Sequence, residues 1–233
     1  MNSLRSRFEF IPRGYRDTIV LLPGWASDCR IFAPLELPYN YLLAARINFS
    51  DFQRELLRAL EQNSLKKVIL AGWSLGVFLA MEFAAKNTSL VKELLLLSIA
   101  REFDRNLLKE IGLKIRKNKR AYLYQFYRDC FSAQDRQGWC WFKKNLFRDY
   151  LNNMELDELI AGLDYLSFAR LAPRDSSGID KVKIFHGEED RITPFLEADS
   201  MKSEFKQADF TALTGIGHVC FLNPGFKDKI FHG

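Results

Sequence analysis

Cysteine is sparse in this 233-residue chain: Cys29, Cys130, Cys140 and Cys220 lie far apart, in no CxxC pair. That spacing excludes a disulfide scaffold and a cysteine–histidine zinc site, so the thiols are read as free and no metal is expected. Histidine is scarcer still, with only His186, His218 and His232. Any reaction that needs an imidazole base must use one of these three. Apolar runs such as 19–22 and 94–97 fall far below the roughly 20 residues that cross a bilayer, so no membrane span is expected. Residues 1–10 mix Arg and Glu with isolated apolar side chains and lack the ~7 to 15 residue apolar core of a secretory signal. Internal repeats and low-complexity linkers are also missing. These absences point to a cytoplasmic protein.

What is present suits one large domain with a full core: 48% hydrophobic, 14% aromatic and 27% charged residues. Short apolar runs alternate with amphipathic stretches, the pattern of a mostly parallel sheet flanked by helices, an α/β fold. The runs predict strands at 18–22, 42–45, 67–71, 93–97, 182–185 and 209–213. Between them, 50–63 reads as a helix whose Ser50 and Gln53 form a capping box and whose Phe52, Leu56, Leu57 and Leu60 share one face. Residues 75–86 are apolar all round and read as a buried helix. Thr193-Pro194 reads as the start of a third, with proline at its first position. From 101 to 171 only helical periodicity appears. The economical organisation is a core of 1–100 and 172–233 with a helical cap, 101–171, inserted after the strand near 93–97.

Gly72-Trp73-Ser74-Leu75-Gly76 is a G-x-S-x-G string between the predicted strand 67–71 and the apolar helix. In that context it makes a sharp turn that exposes the serine hydroxyl, with glycines keeping Cβ atoms out of the way. The Leu75 N–H, at the helix start, then faces any oxyanion formed on attack. A serine nucleophile needs a base. His218, in Gly215-Ile216-Gly217-His218 beyond the last strand, is placed to return over the sheet edge. His186 ends a strand and reads as a packed residue, and His232 lies near the end of the chain. A carboxylate should orient the base, and the loop Gly187-Glu188-Glu189-Asp190 offers three; Asp190 is chosen over Glu188 and Glu189. Leu21-Leu22-Pro23-Gly24-Trp25 ends an early strand, so the Trp25 N–H is the second oxyanion candidate, against the reading of an ordinary Pro-Gly turn.

Together, Pro23-Gly24-Trp25, Gly72-Trp73-Ser74-Leu75-Gly76, His186-Gly187 to Asp190 and Gly217-His218 resemble the α/β-hydrolase superfamily across nearly the whole chain. The order Ser74, Asp190, His218 is the order of that superfamily. The paired Gly-Trp and Gly-Trp-Ser-Leu-Gly elements resemble the BioH-type carboxylesterases of biotin synthesis, which hydrolyse the methyl ester of pimeloyl-acyl-carrier protein. The resemblance implies that Ser74 attacks, His218 shuttles the proton, Asp190 orients it, and Trp25 and Leu75 hold the oxyanion. No cofactor is implied. Trp25, with Tyr122, Gln125 and Phe126 of the cap, is expected to bind substrate.

Residues 114–148 carry ten basic side chains against two acidic, a local +8 in a chain whose net charge is +5. Such a field steers an acidic partner. An acyl-carrier protein is the partner the resemblance implies, docking on Arg116, Lys117, Arg120, Arg128, Lys143 and Lys144; the bland alternative is a cap solvated by its charges. Nucleic acid is not expected: Tyr122, Tyr124, Phe126, Tyr127, Trp139 and Trp141 are interleaved with the charge, but no recognised nucleic-acid motif accompanies them. A monomer is the expected assembly. Two further functions remain open: an esterase or thioesterase of small molecules, and a non-catalytic binding protein that kept the fold.

Overall fold

The computed structural model describes residues 6–232, without the side chains of Phe231 and His232, so the expectation for His232 lies outside the described residues. Seven strands form one sheet: β1 (Arg7–Ile11), β2 (Thr18–Leu22), β3 (Asn40–Arg46), β4 (Val68–Trp73), β5 (Val91–Leu97), β6 (Val182–Gly187) and β7 (Ala208–Leu213). Their order is β1-β3-β2-β4-β5-β6-β7. All neighbours pair parallel except β1, which runs antiparallel to β3 at the edge. Every residue of β2, β4 and β6 is buried, which suits their largely apolar sequences. β1 was not among the expected strands. Its side chains are half-exposed and charged residues interrupt the run, as suits an edge strand covered on one face only.

Helix α1 (Phe52–Gln62) buries Phe52, Leu56 and Leu60 against the sheet, while Leu57 packs at the margin of the core. The expected capping box does not form. Ser50 N and Oγ both donate to Asn48 Oδ1, at 3.0 and 2.8 Å, so the serine closes a turn before the helix begins. The Gln53 amide is buried without a hydrogen-bond partner among the described residues. Helix α2 (Leu75–Lys86) runs through the core as its composition demands.

Four helices separate β5 from β6: α3 (Arg105–Asp129), α4 (Arg136–Asn145), α5 (Phe147–Asn153) and α6 (Leu156–Leu166). α3 breaks at Asn118, whose φ and ψ are −156° and 84°; its Oδ1 accepts from Ala121 N at 3.0 Å and restarts the helix. Tyr127, Trp139, Phe142, Phe147 and Tyr150 pack ring to ring and are continuous with the core of the sheet. Two short helices follow in the C-terminal part, α7 (Phe195–Met201) and α8 (Phe226–His232). Pro194 stands at the N-cap of α7 rather than at its first helical position. Among the described residues no helix is long and apolar enough to cross a membrane.

Candidate active site

β4 and β5 end together, with Trp73 paired to Leu97, and Leu97 pairs with Phe185 near the end of β6. Beyond them Ser74 N donates to Leu97 O and Ser98 N to Phe185 O, each at 2.9 Å. The loops that leave these strands therefore gather at one edge of the sheet, where open α/β sheets place their sites. Ser74 forms the junction of β4 and α2 with φ 52° and ψ −114°, a strained conformation for a residue with a side chain. Only glycine fits beside it: a Cβ on Gly76 would stand 2.2 Å from Leu22 O, so β2 and the start of α2 touch backbone to backbone.

Asp190 is buried, and all its acceptor capacity is used. Oδ1 accepts from Ile192 N and Thr193 N, both at 2.9 Å, and Oδ2 accepts from Thr193 Oγ1 at 2.8 Å. His218 Nδ1 lies 2.8 Å from the same Oδ2. The tautomer that fits donates Nδ1–H to Asp190 and leaves Nε2 free to accept a proton. Burial alone would push the Asp190 carboxyl up; the adjoining His218 and His186 and the Thr193 N–H outweigh it and hold the group below the usual carboxylate range. Glu188 and Glu189 are exposed.

His218 reaches the serine turn through its backbone and ring face. Its carbonyl accepts from Trp73 Nε1 at 2.9 Å and from Ser98 Oγ at 2.7 Å, and its ring centroid lies 5.4 Å from that of Trp73. Among the described residues no hydrogen bond joins Ser74 Oγ to His218, a contact that commonly tightens only once substrate is bound. His186 is buried at the end of β6, with Nε2 2.8 Å from Thr193 O and 3.5 Å from Asp190 Oδ2. Among the described residues its Nδ1 has no partner, and burial holds its pKa below the ordinary histidine value against the pull of Asp190 and the Thr193 carbonyl.

Trp25 and Leu75 flank the serine turn. A Cβ on Gly24 would stand 3.2 Å from Ser74 Cβ, which sets the Pro23-Gly24-Trp25 loop directly against the candidate nucleophile. Among the described residues neither the Trp25 nor the Leu75 N–H meets another backbone carbonyl. The Trp25 indole turns toward the insertion: Nε1 donates to Leu159 O at 2.9 Å, and the ring meets Phe126 and Tyr122 edge-on at 4.8 and 6.4 Å. Burial raises the Tyr122 phenol to about 12. Gln125, on the same helix, is exposed, and its amide donates along α3 to Asp129 Oδ1.

A cleft of about 450 Å³ opens beside Trp25 and Leu75, between the ends of β2 and β3 and helices α5 and α6. Ser74 and His218 do not line it; both are buried. The cleft rim carries Asp28, Asp149, Asp157 and Glu158 together with Arg30 and Arg46. Arg116, Lys117, Arg120, Arg128, Lys143 and Lys144 are all exposed on α3 and α4; the Arg128 guanidinium lies 5.4 Å over the Trp139 ring, and Arg120 donates to Asn152. Among the described residues no group of three His, Cys, Asp or Glu side chains is arranged to hold a metal ion. Sequence reasoning missed Thr193 as a ligand of Asp190, although it lies in the same loop. It also missed the turn between α3 and α4, whose contacts with the His218 loop span some eighty residues and leave no local signal.

The alpha/beta hydrolase fold family matches residues 27–224. Among solved structures, the esterase EaEST from Exiguobacterium antarcticum superposes with a TM-score of 0.80 at 18% identity, covering 97% of this chain and 94% of that one. An enol-lactonase from Burkholderia xenovorans LB400 gives 0.81 at 14% identity, covering 97% and 95%. A bromoperoxidase from Bacillus anthracis gives 0.79 at 16%, covering 96% and 93%. At these identities the likeness is one of fold. No curated protein matches the sequence itself.

Proposed function

The chain belongs to the alpha/beta hydrolase fold family, and from that premise we propose that it is a serine esterase acting on carboxylic esters, with the methyl ester of pimeloyl-acyl-carrier protein as its substrate. The observation that carries the esterase chemistry is the 2.8 Å contact between His218 Nδ1 and Asp190 Oδ2, beside a serine held in the strained turn at the end of β4.

In this reading Ser74 Oγ attacks the ester carbonyl as its proton passes to His218 Nε2, and Asp190 stabilises the imidazolium. The carbonyl oxygen, now an alkoxide, accepts hydrogen bonds from the Trp25 and Leu75 N–H groups. The tetrahedral intermediate collapses, the C–O bond to the alcohol breaks, and His218 returns its proton to the leaving oxygen. Water, deprotonated in turn by His218, then attacks the acyl-enzyme; the acid departs and Ser74 recovers its proton. All of this uses side chains and backbone of the chain itself.

The carrier-bound substrate is supported by the resemblance of the glycine–tryptophan elements and by the exposed basic residues of α3 and α4, which suit an acidic carrier. A second reading, an ester of a small molecule, is favoured by the cleft rim, where four carboxylates stand among two arginines. One experiment separates them: turnover of methyl pimeloyl-acyl-carrier protein and of p-nitrophenyl butyrate at low and high salt, with Ser74→Ala as the blank. A salt-sensitive preference for the carrier-bound ester supports the first reading. Equal, salt-insensitive turnover supports the second. Activity on neither ester, with no labelling of Ser74 by an organophosphonate, overturns both.

A further inference from the structure

The loop that carries His218 is held from two sides. On one side, Ile216 O accepts from Glu189 N at 2.9 Å, and His218 O accepts from Trp73 Nε1 and Ser98 Oγ. On the other, the Gly217 and His218 N–H groups meet the turn between α3 and α4. Gly217 N donates to Asp135 Oδ2 at 2.7 Å, and His218 N donates to Cys130 O at 2.8 Å. Ser132 Oγ donates to the Gly215 carbonyl 2.5 Å away in the same patch. The approach leaves no room for a side chain: a Cβ on Gly217 would lie 2.8 Å from both Cys130 O and Ser132 N.

Asp135 is the hub of this contact. It is 7% exposed, and its Oδ2 accepts from Ser132 N at 2.9 Å as well as from Gly217 N. A single carboxylate oxygen therefore ties the turn of the insertion to the residue preceding His218. Removing it would leave two N–H groups without their acceptor, one of them adjacent to the imidazole-bearing residue. A charge-assisted hydrogen bond to a buried carboxylate fixes the position of the backbone N–H that donates it.

We propose that Asp135 is a positioning residue for His218: through Gly217 it sets where the imidazole stands relative to Asp190 and Ser74. The helical insertion is then part of the machinery that aims the base, and a displacement of α4 would displace His218. The inference rests on the serine-esterase reading for what His218 does, but the hydrogen bonds that hold the loop do not depend on that reading.

The test compares wild type with Asp135→Ala and Asp135→Asn by two readouts, at a temperature where circular dichroism shows each variant folded. The first is the low-field proton resonance of His218 Nδ1–H. The second is the rate at which a fluorophosphonate labels Ser74. The alanine variant is expected to shift or broaden the resonance and to slow labelling about 10- to 100-fold, the scale of a catalytic group misplaced by about 1 Å. Asparagine, which keeps a neutral acceptor, is expected to restore much of both and to label several-fold more slowly than wild type. A folded alanine variant with wild-type resonance and labelling overturns the proposal. If alanine does not fold, asparagine decides: wild-type values in both readouts overturn it as well. A wild-type protein whose Ser74 is never labelled defeats the esterase reading instead, and the resonance comparison still decides the role of Asp135.

Discussion

His186 and His218 meet at one atom: Asp190 Oδ2 lies 2.8 Å from His218 Nδ1 and 3.5 Å from His186 Nε2. Only the first contact has hydrogen-bond length. His186 spends its Nε2–H on the Thr193 carbonyl, which leaves Asp190 to orient His218 while a second, neutral imidazole fills the space behind it. Replacing Asp190 by Asn would remove the charge that favours the Nδ1–H tautomer of His218. The expected result is a fall in kcat on the order of 10⁴ with little change in KM, checked by steady-state kinetics on a p-nitrophenyl ester. A fall below 10-fold would mean that Asp190 does not support the base.

The neutral state of His186 makes a separate prediction about stability. Its folded pKa lies below the ordinary value of about 6.5, so the unfolded chain binds more protons than the native one as pH drops through that value. The sign is therefore a loss of stability on acidification from about pH 6.5. Asp190, also held low, adds its own loss only below the usual carboxylate range, and the two windows are distinct. His186→Gln keeps an N–H donor for Thr193 O and cannot titrate. Urea midpoints between pH 5 and 8 should decline less steeply for the variant than for wild type; parallel curves would assign the acid lability elsewhere.

How much of this was legible beforehand follows from burial. β2, β4, β5 and β6 are nearly continuous apolar runs because both faces of the sheet are covered, and the serine turn lies between two such signals. β1 has one half-covered face and pairs antiparallel, so its alternation of Phe8 and Phe10 with charged neighbours carried too weak a period to read. The capping box failed for a local reason of another kind: Ser50 had a nearer acceptor in Asn48. Gln125 shares the i, i+3, i+4 spacing of Tyr122 and Phe126, yet its amide turns along α3 to Asp129, a choice of side-chain direction that spacing alone does not carry. Asp135 had no sequence signal, since its partner Gly217 lies in another element and the bond is to a backbone N–H.

Gly162 of α6 packs directly against the Trp25 indole. A Cβ at position 162 would stand 2.6 Å from Trp25 Cδ1, so Gly162→Ala must displace the indole and strain its bond to Leu159 O. Overpacking of this kind costs about 1–3 kcal/mol, to be read from denaturant unfolding. If the Trp25 N–H also holds the oxyanion, its displacement should lower kcat, by up to the 10²–10³ that loss of one such donor costs. Lost stability with unchanged kcat would confine Trp25 to packing.

The basic residues of α3 and α4 can be tested without touching any of these groups. Lys143 and Lys144 are exposed and lie in the last turn of α4, where their charge is also favourable to the helix dipole. Reversing both to Glu changes the local charge by four while leaving the buried rings beneath them in place. If an acidic carrier docks there, the association rate should fall by 10-fold or more at low salt, and the gap should close as salt rises and screens both proteins. The effect would appear in kcat/KM for the carrier-bound ester and not in that for p-nitrophenyl butyrate, because a small neutral ester has no charge to steer. A variant that loses both activities equally has a damaged site rather than a lost docking surface, and one that loses neither leaves these lysines as solvation for the insertion. The contrast between the two substrates, and not the size of either loss, is what assigns the charge a function.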